Sequence, residues 1–340
     1  MFFHWQIFTS QDIVITTVAY LGSSTISKFA NGEVVYESPI SDFSLSSNVK
    51  NWSSNNSVAF VYDTSSRNYN FYKIPIPLGS GTPSLMAQPA LAQSNTAYTI
   101  SGADMDLSAT FTCIALFDSA TFTRSITVYR STISAGNYTW ASVATINLPA
   151  QTGGNNTGST GQLKFSPDGV YLAINVFGGT YIYSRSVNTF TLVSGTQPKL
   201  SGGNSHGLAW SPNQSFLARG GVVNNVGTWT NVTFTGGSSG VTAWQSSFSP
   251  NGTYFIVTGV GSTANIALYK ITGTTFNLRS TASEQETKGG SSLSTSPSWS
   301  PDSQIVITQL GSIFTIVNDV LVDISSYNTG NTPNGSIFQN

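Results

Sequence analysis

An all-β fold assembled from repeated small antiparallel sheets is what this sequence predicts, on three observations. A nine-residue segment recurs along the chain without gaps. The intervals between its copies break into short apolar strands separated by Gly, Pro and Asn. No stretch holds a helical period for more than about two turns.

The repeat is clearest in four copies. These are Phe165-Ser166-Pro167-Asp168-Gly169-Val170-Tyr171-Leu172-Ala173, Trp210-Ser211-Pro212-Asn213-Gln214-Ser215-Phe216-Leu217-Ala218, Phe248-Ser249-Pro250-Asn251-Gly252-Thr253-Tyr254-Phe255-Ile256 and Trp299-Ser300-Pro301-Asp302-Ser303-Gln304-Ile305-Val306-Ile307. An aromatic residue ends one strand, and Ser-Pro opens a turn with φ preset by the proline ring. Asp or Asn followed by Gly then supplies a left-handed position before the next apolar strand. Three decayed copies lie upstream. One, Trp52-Ser53-Ser54-Asn55-Asn56-Ser57-Val58, has lost the proline, and Met105-Asp106-Leu107-Ser108-Ala109-Thr110-Phe111 keeps only the hydrophobic frame. The third, Phe8-Thr9-Ser10-Gln11-Asp12-Ile13, is one residue short.

Anchors therefore fall at residues 8, 52, 105, 165, 210, 248 and 299, spaced 38 to 60 residues apart. That brackets the roughly 40–50 residues of a four-stranded blade. Each interval divides accordingly: 171–176, 180–184 and 189–193 follow Pro167, while 254–260, 265–271 and 275–279 follow Pro250. After Pro301 come 305–310, 313–318 and 320–325. The expectation is a seven-bladed β-propeller with about four antiparallel strands per blade, filling residues 1–328 as one domain. Each blade is expected to own four contiguous strands. The Gly/Asn-rich tail, residues 329–340, is expected to lie outside them or to dock on a partner.

The Phe/Trp-Ser-Pro-Asp/Asn-Gly anchors resemble those of WD40-type propellers, where this turn joins the innermost strand of a blade to the second. The resemblance covers the chain and is strongest from about residue 160 onward. It departs from regular WD40 blades in lacking any Trp-Asp dipeptide or Gly-His pair. With only His4 and His206, the Asp-His-Ser/Thr-Trp network of those blades cannot recur. The resemblance implies a fold and carries no activity with it.

Composition narrows the function classes. Charged residues make up 8% of the chain, 13 Lys and Arg against 14 Asp and Glu, where about a quarter is usual. Without a basic surplus or stripe, no nucleic-acid partner is expected. No run approaches 18 apolar residues, so no membrane span is expected. The start, Met1-Phe2-Phe3-His4-Trp5, has no basic n-region, and no export signal is expected from it. The single Cys113 lies in an apolar run and reads as a buried thiol.

Candidate site residues come from a second repeat. Gly-Gly pairs at 153–154, 202–203, 236–237 and 289–290 precede the anchors, in loops that enter the innermost strands. They could form a rim of amides and hydroxyls, with Asn156, Asn204, His206 and Trp244 nearby, suited to an uncharged ligand such as a glycan. The plainer alternative, given more weight, is that glycine lets the chain cross between blades. Trp140 and Trp229 stand in polar stretches and read as stacking platforms for sugars or anchors for a protein partner, or else as packing between blades. The run Asp104-Met105-Asp106-Leu107-Ser108 has calcium-loop spacing but lacks the central Gly and closing Glu. No Ser-His-Asp arrangement, metal site or cofactor motif is expected.

Without a catalytic constellation, the leading expectation is a non-enzymatic structural module on a virion surface. In that reading a tail, fibre or capsid-decorating propeller, resembling bacteriophage proteins in composition, partners other virion proteins or a host-surface glycan or receptor. The alternative is a secreted or cell-surface carbohydrate-binding propeller, either a lectin or a polysaccharide-active enzyme.

Overall fold

The computed structural model consists of strands and their connections, with no helix among the described residues. Backbone strands are described from His4 to Gln339. Side chains are described for residue 104 and residues 125–134, 139–148, 163–175, 179–193, 207–237, 239–243, 245–259, 264–283, 297–300, 302–308 and 312–323.

Every anchor residue ends a strand. The strands are His4–Phe8, Val49–Trp52, Tyr98–Met105, Thr160–Phe165, Leu208–Trp210, Thr242–Phe248 and Ser298–Trp299. In the four clear copies the turn is closed by the serine hydroxyl. Ser166 Oγ donates to Asp168 Oδ1 at 2.6 Å and accepts from the Tyr171 N–H at 2.8 Å. Ser211 Oγ donates to Asn213 and accepts from Phe216, at 2.8 and 2.9 Å. Ser249 makes the same pair with Asn251 and Tyr254, both 2.8 Å. Ser300 repeats it with Asp302 and Ile305. The next residue takes the left-handed backbone the sequence predicts: Gly169, Gln214, Gly252 and Ser303 have φ of 67°, 61°, 70° and 63°.

The chain divides into two compact units. One comprises residues 49–76 and 83–208. It contains the antiparallel sheet Tyr98–Met105, Phe111–Asp118, Thr123–Ser134, Asn137–Asn147 and the sheet Thr160–Phe165, Tyr171–Val176, Gly179–Ser186, Thr189–Leu192. These two pack through Ile126, Val128 and Ile146 against Phe165, Leu172 and Ile174. Asp104, buried at the end of its strand, accepts the Phe165 N–H at 2.6 Å, and Lys164 Nζ lies 3.6 Å from its other oxygen. A carboxylate in the stretch with calcium-loop spacing is thus committed to a backbone donor of the neighbouring sheet.

The other unit comprises residues 1–48, 77–82 and 209–340. Within it, the strand Tyr254–Val260 serves two cores. Phe255 and Val257 pack with Phe216, Phe248 and Phe276, whereas Ile256 packs with Leu268, Trp299, Val306 and Phe314. Side chains alternate across a strand, so a sheet buried on both faces needs a continuous apolar run, which Phe255-Ile256-Val257 supplies. The seam between the Phe248 and Trp299 sheets is also tied by polar groups. Trp299 Nε1 donates to Ser247 Oγ at 2.9 Å, and the Asn251 N–H donates to Ser303 Oγ at 3.1 Å. Asp319, in the two-residue turn after Ile313–Val317, accepts from Tyr254 Oη at 2.7 Å and from Lys270 Nζ at 3.0 Å. Arg279 Nε lies 3.7 Å from the same carboxylate.

The pairing corrects the expectation that each blade owns contiguous strands. Thr233–Thr235, which follows the Trp210 sheet in sequence, pairs in parallel with Thr275–Ala282 on the outer edge of the Phe248 sheet. The Trp210 sheet is left with three strands. Phe338–Gln339, from the tail, pairs antiparallel with Val18–Tyr20 and adds a strand to the sheet of Thr25–Ala30 and Glu33–Pro39. His4–Phe8 and Asp12–Thr16 form a separate two-stranded sheet. An outer strand exposes a row of unpaired amides and carbonyls, which any strand within reach can satisfy; sequence neighbours have no monopoly on it.

Candidate functional site

Besides the serines of the anchor turns, buried polar residues gather at the far end of the four described sheets. The second strands Tyr171–Val176, Phe216–Arg219, Tyr254–Val260 and Ile305–Ile307 run from the anchor turn toward that end. There they carry or meet Asn175, Arg219, Thr258 and Thr308, all buried. Asn175 is paired with Thr180, whose hydroxyl donates to its Oδ1 at 3.3 Å. Thr308 donates its N–H to Ser312 O at 3.0 Å. Gln245 is buried opposite Thr258.

Arg219 differs from the others in charge. Its side chain is 3% exposed, the one buried cation among the described residues. Burial pulls its pKa down to about 10, so the guanidinium is still protonated at neutral pH. Gly220 and Gly221 follow it directly, and a Cβ on Gly221 would sit 3.0 Å from Ala243 Cβ, so two strands approach closely here. On the neighbouring strand the register slips between Ala243 and Gln245. Trp244 is the extra residue of that bulge. Gly259, opposite Ala243, has no room for a side chain, since its Cβ would lie 1.9 Å from Thr242 O.

The sequence-predicted site residues fare unequally. Asn156, Asn204 and His206 lie outside the described residues, and of Trp244 only the strand position is described. Trp140 is half-buried on Asn137–Asn147, paired with Ser131. Trp229 is half-buried too, its ring edge-to-face with Trp210 at 6.4 Å. One Gly-Gly pair is described. Gly236 and Gly237 have φ of 89° and 97°, and a Cβ on Gly236 would press on the Leu278 backbone at 3.0 Å. At this pair glycine serves the close crossing of a neighbouring strand, the plainer of the two readings.

Sequence reasoning passed over Arg219. Its signal was a charge ending the apolar frame Phe216-Leu217-Ala218, where the aligned positions are Ile174, Val257 and Thr308.

No protein-family model matches the chain, and no curated protein matches it in sequence. Solved structures do match, nearly end to end. The periplasmic gluconolactonase of Pseudomonas aeruginosa aligns at 14% identity and TM-score 0.69, over 95% of this chain and 99% of that one. A candidate 6-phosphogluconolactonase from Bacteroides fragilis aligns at 15% identity and TM-score 0.64, over 95% and 98%. A functionally unknown protein from Desulfotomaculum acetoxidans aligns at 8% identity and TM-score 0.61, over 94% and 98%. Such likeness defines the class of protein: the chain has an all-β fold of the propeller type.

The likeness also overturns the expectation of a non-enzymatic virion module. Two of these full-length neighbours bear the names of lactonases, and none of the three is named as a virion component. The expectation had rested on scarcity of charge, which describes a surface and says nothing about chemistry inside a fold.

Proposed function

We propose that this chain is a carbohydrate-acting hydrolytic propeller whose substrate class is a sugar lactone. The observation that carries the reading is likeness in fold over almost the whole of both chains to a protein named as a gluconolactonase. Lactone opening adds water to the ester carbonyl carbon, breaks the ring C–O bond and returns a proton to the ring oxygen, giving a hydroxy acid. Negative charge grows on the carbonyl oxygen as water adds. A protonated guanidinium held out of bulk water can stabilise that charge, and Arg219 is the described residue with this character. The buried amide of Gln245 and hydroxyl of Thr258, paired with each other on the neighbouring sheet, suit a polar, uncharged sugar as the remainder of the ligand.

The test is acid release from glucono-δ-lactone and related aldonolactones by the purified full chain, corrected for spontaneous hydrolysis. The expected result is catalysed release that falls about 100-fold in kcat/KM in Arg219→Met, as when one oxyanion donor is removed. Rates no higher than the spontaneous one for every lactone tried would sink the proposal.

A further inference from the structure

An outer strand is open on one side to any chain with backbone groups to pair, and folded proteins keep such strands short or place charges and proline on them. Other outer strands here follow that rule. Thr189–Leu192, Thr233–Thr235 and Val320–Asp323 have three or four residues. The longer Glu33–Pro39 carries two glutamates and a proline. Asn137–Asn147 breaks the rule. It has 11 residues, none of them charged or proline, and no strand pairs with its outer side among the described residues.

The first part of this strand also stands clear of its own sheet. Phe111–Asp118 pairs with Thr123–Ser134 only as far as Phe111↔Arg130, whereas Thr123–Ser134 pairs with Asn137–Asn147 out to Ser134↔Asn137. Residues 131–134 and 137–140 are therefore a two-stranded arm that runs past the anchor-turn end of the sheet. Consecutive strand residues face opposite sides, and Thr132, Ile133 and Ser134 are all exposed, so water reaches both faces of the arm. Ile133 is 59% exposed. A ribbon of two strands is marginally stable by itself, and further strands are what stabilise it.

A second copy of this chain is the partner that fits. No charge occurs between Arg130 and Lys164, so two such edges meet without repulsion, and a charged segment would find no complement there. Laid side by side about a two-fold axis, a strand and its copy run antiparallel, the geometry that the arm already uses internally. A register slip leaves Val143 as an extra residue and limits the regular edge to Asn137–Ser142. Strands of that length exchange about six hydrogen bonds, within the roughly 5–15 of a typical interface.

We infer that the edge Asn137–Ser142 joins two copies of this chain by antiparallel strand addition, the two arms forming a four-stranded sheet. The pairing uses none of the residues proposed for lactone opening, and it is tested apart from them.

The test is sedimentation velocity of the full chain from about 1 μM to about 500 μM, with hydrogen exchange at both ends of that range. A reversible monomer–dimer equilibrium is expected, and the amides of residues 137–142 should exchange at least tenfold more slowly in the dimer. Thr139 and its cross-strand partner Thr132 are both exposed, so the fold tolerates a longer side chain there. Thr139→Lys and Thr139→Glu each place like charges on the two copies, and each should weaken dimerisation at least tenfold. An equimolar mixture of the two should recover association to within about threefold of wild type, which a fold defect would not allow. A chain that stays monomeric up to about 500 μM would overturn the inference and leave the edge to an extended segment of another protein. Dimerisation within twofold of wild type in both variants, or no recovery in their mixture, would overturn it as well.

Discussion

The hydroxyl of Tyr254 donates a 2.7 Å hydrogen bond to the carboxylate of Asp319, joining two neighbouring sheets. Asp319 reaches across because Asn318 and Asp319 form a two-residue hairpin loop with φ of 50° and 65°, closing the pair Val317↔Val320. Each group changes the other's ionisation. The Tyr254 hydrogen bond, followed by Lys270, holds the Asp319 carboxyl below its ordinary value. Burial first, and then Asp319, push the Tyr254 phenol up to about 12.

Two pH limits follow. Asp319 has a lowered folded-state pKa, so its stabilisation is complete above about pH 4 and is lost as the pH falls below that. Tyr254 has a raised one, so its share is complete below about pH 10 and is lost as the pH climbs toward about 12. At neutral pH, Asp319→Asn should cost about 1 kcal/mol, the partners being partly exposed. Thermal melts across pH check this: the substitution should flatten the acid limb, and Tyr254→Phe the alkaline one.

The serine at the centre of each anchor turn is a stricter requirement than the residue it donates to. Ser249→Ala strips the partly buried Tyr254 N–H of its 2.8 Å acceptor, at an expected cost of roughly 1–2 kcal/mol. Asn251→Asp should change stability by less than about 0.5 kcal/mol, because Asp168 and Asp302 already make the same bonds in sister turns. Denaturant melts of the two variants should separate clearly.

Two glycines close together in sequence should answer differently to alanine. At Gly252 the site is open and only φ 70° opposes a side chain, so the cost should be about 1 kcal/mol. At Gly259 the new methyl would lie 1.9 Å from Thr242 O, and the backbone must move. A loss of at least about 3 kcal/mol is expected. Comparable melting temperatures for the two variants would contradict the close approach of these strands.

Asp104→Ala should destabilise by roughly 2–3 kcal/mol, since the Phe165 N–H would be left buried without its acceptor. Hydrogen exchange at the Phe165 amide, slow in the wild type, should accelerate well beyond that of its neighbours.

Much of the fold is legible in the sequence because a turn is a local object. The residues that close an anchor turn lie within six positions, and their types specify the bonds they make. Gln214 and Ser303 occupy the left-handed slot without being glycine, and the frame around them still reveals it. The partners of a strand are another matter. Alternation marks Phe234 and Phe338 as strand residues, but nothing in either segment says that one joins the next sheet in parallel or that the other returns to Val18–Tyr20. Arg219 carried a signal, a charge in an apolar frame, that the reading of the sequence passed over. Trp229 was legible as an aromatic among polar residues, whereas its left-handed backbone was not.

The displaced strand Thr233–Thr235 bears on how such a chain can be cut, copied or joined. Segments measured from one anchor to the next look like interchangeable units. A duplication or excision ending just before Phe248 would carry Thr233–Thr235 away from the sheet that holds it, and leave Thr275–Ala282 with a bare edge. The heritable module here spans the Trp210 and Phe248 blades together, and circular permutants opened between them should fold worse than those opened just after Ser283.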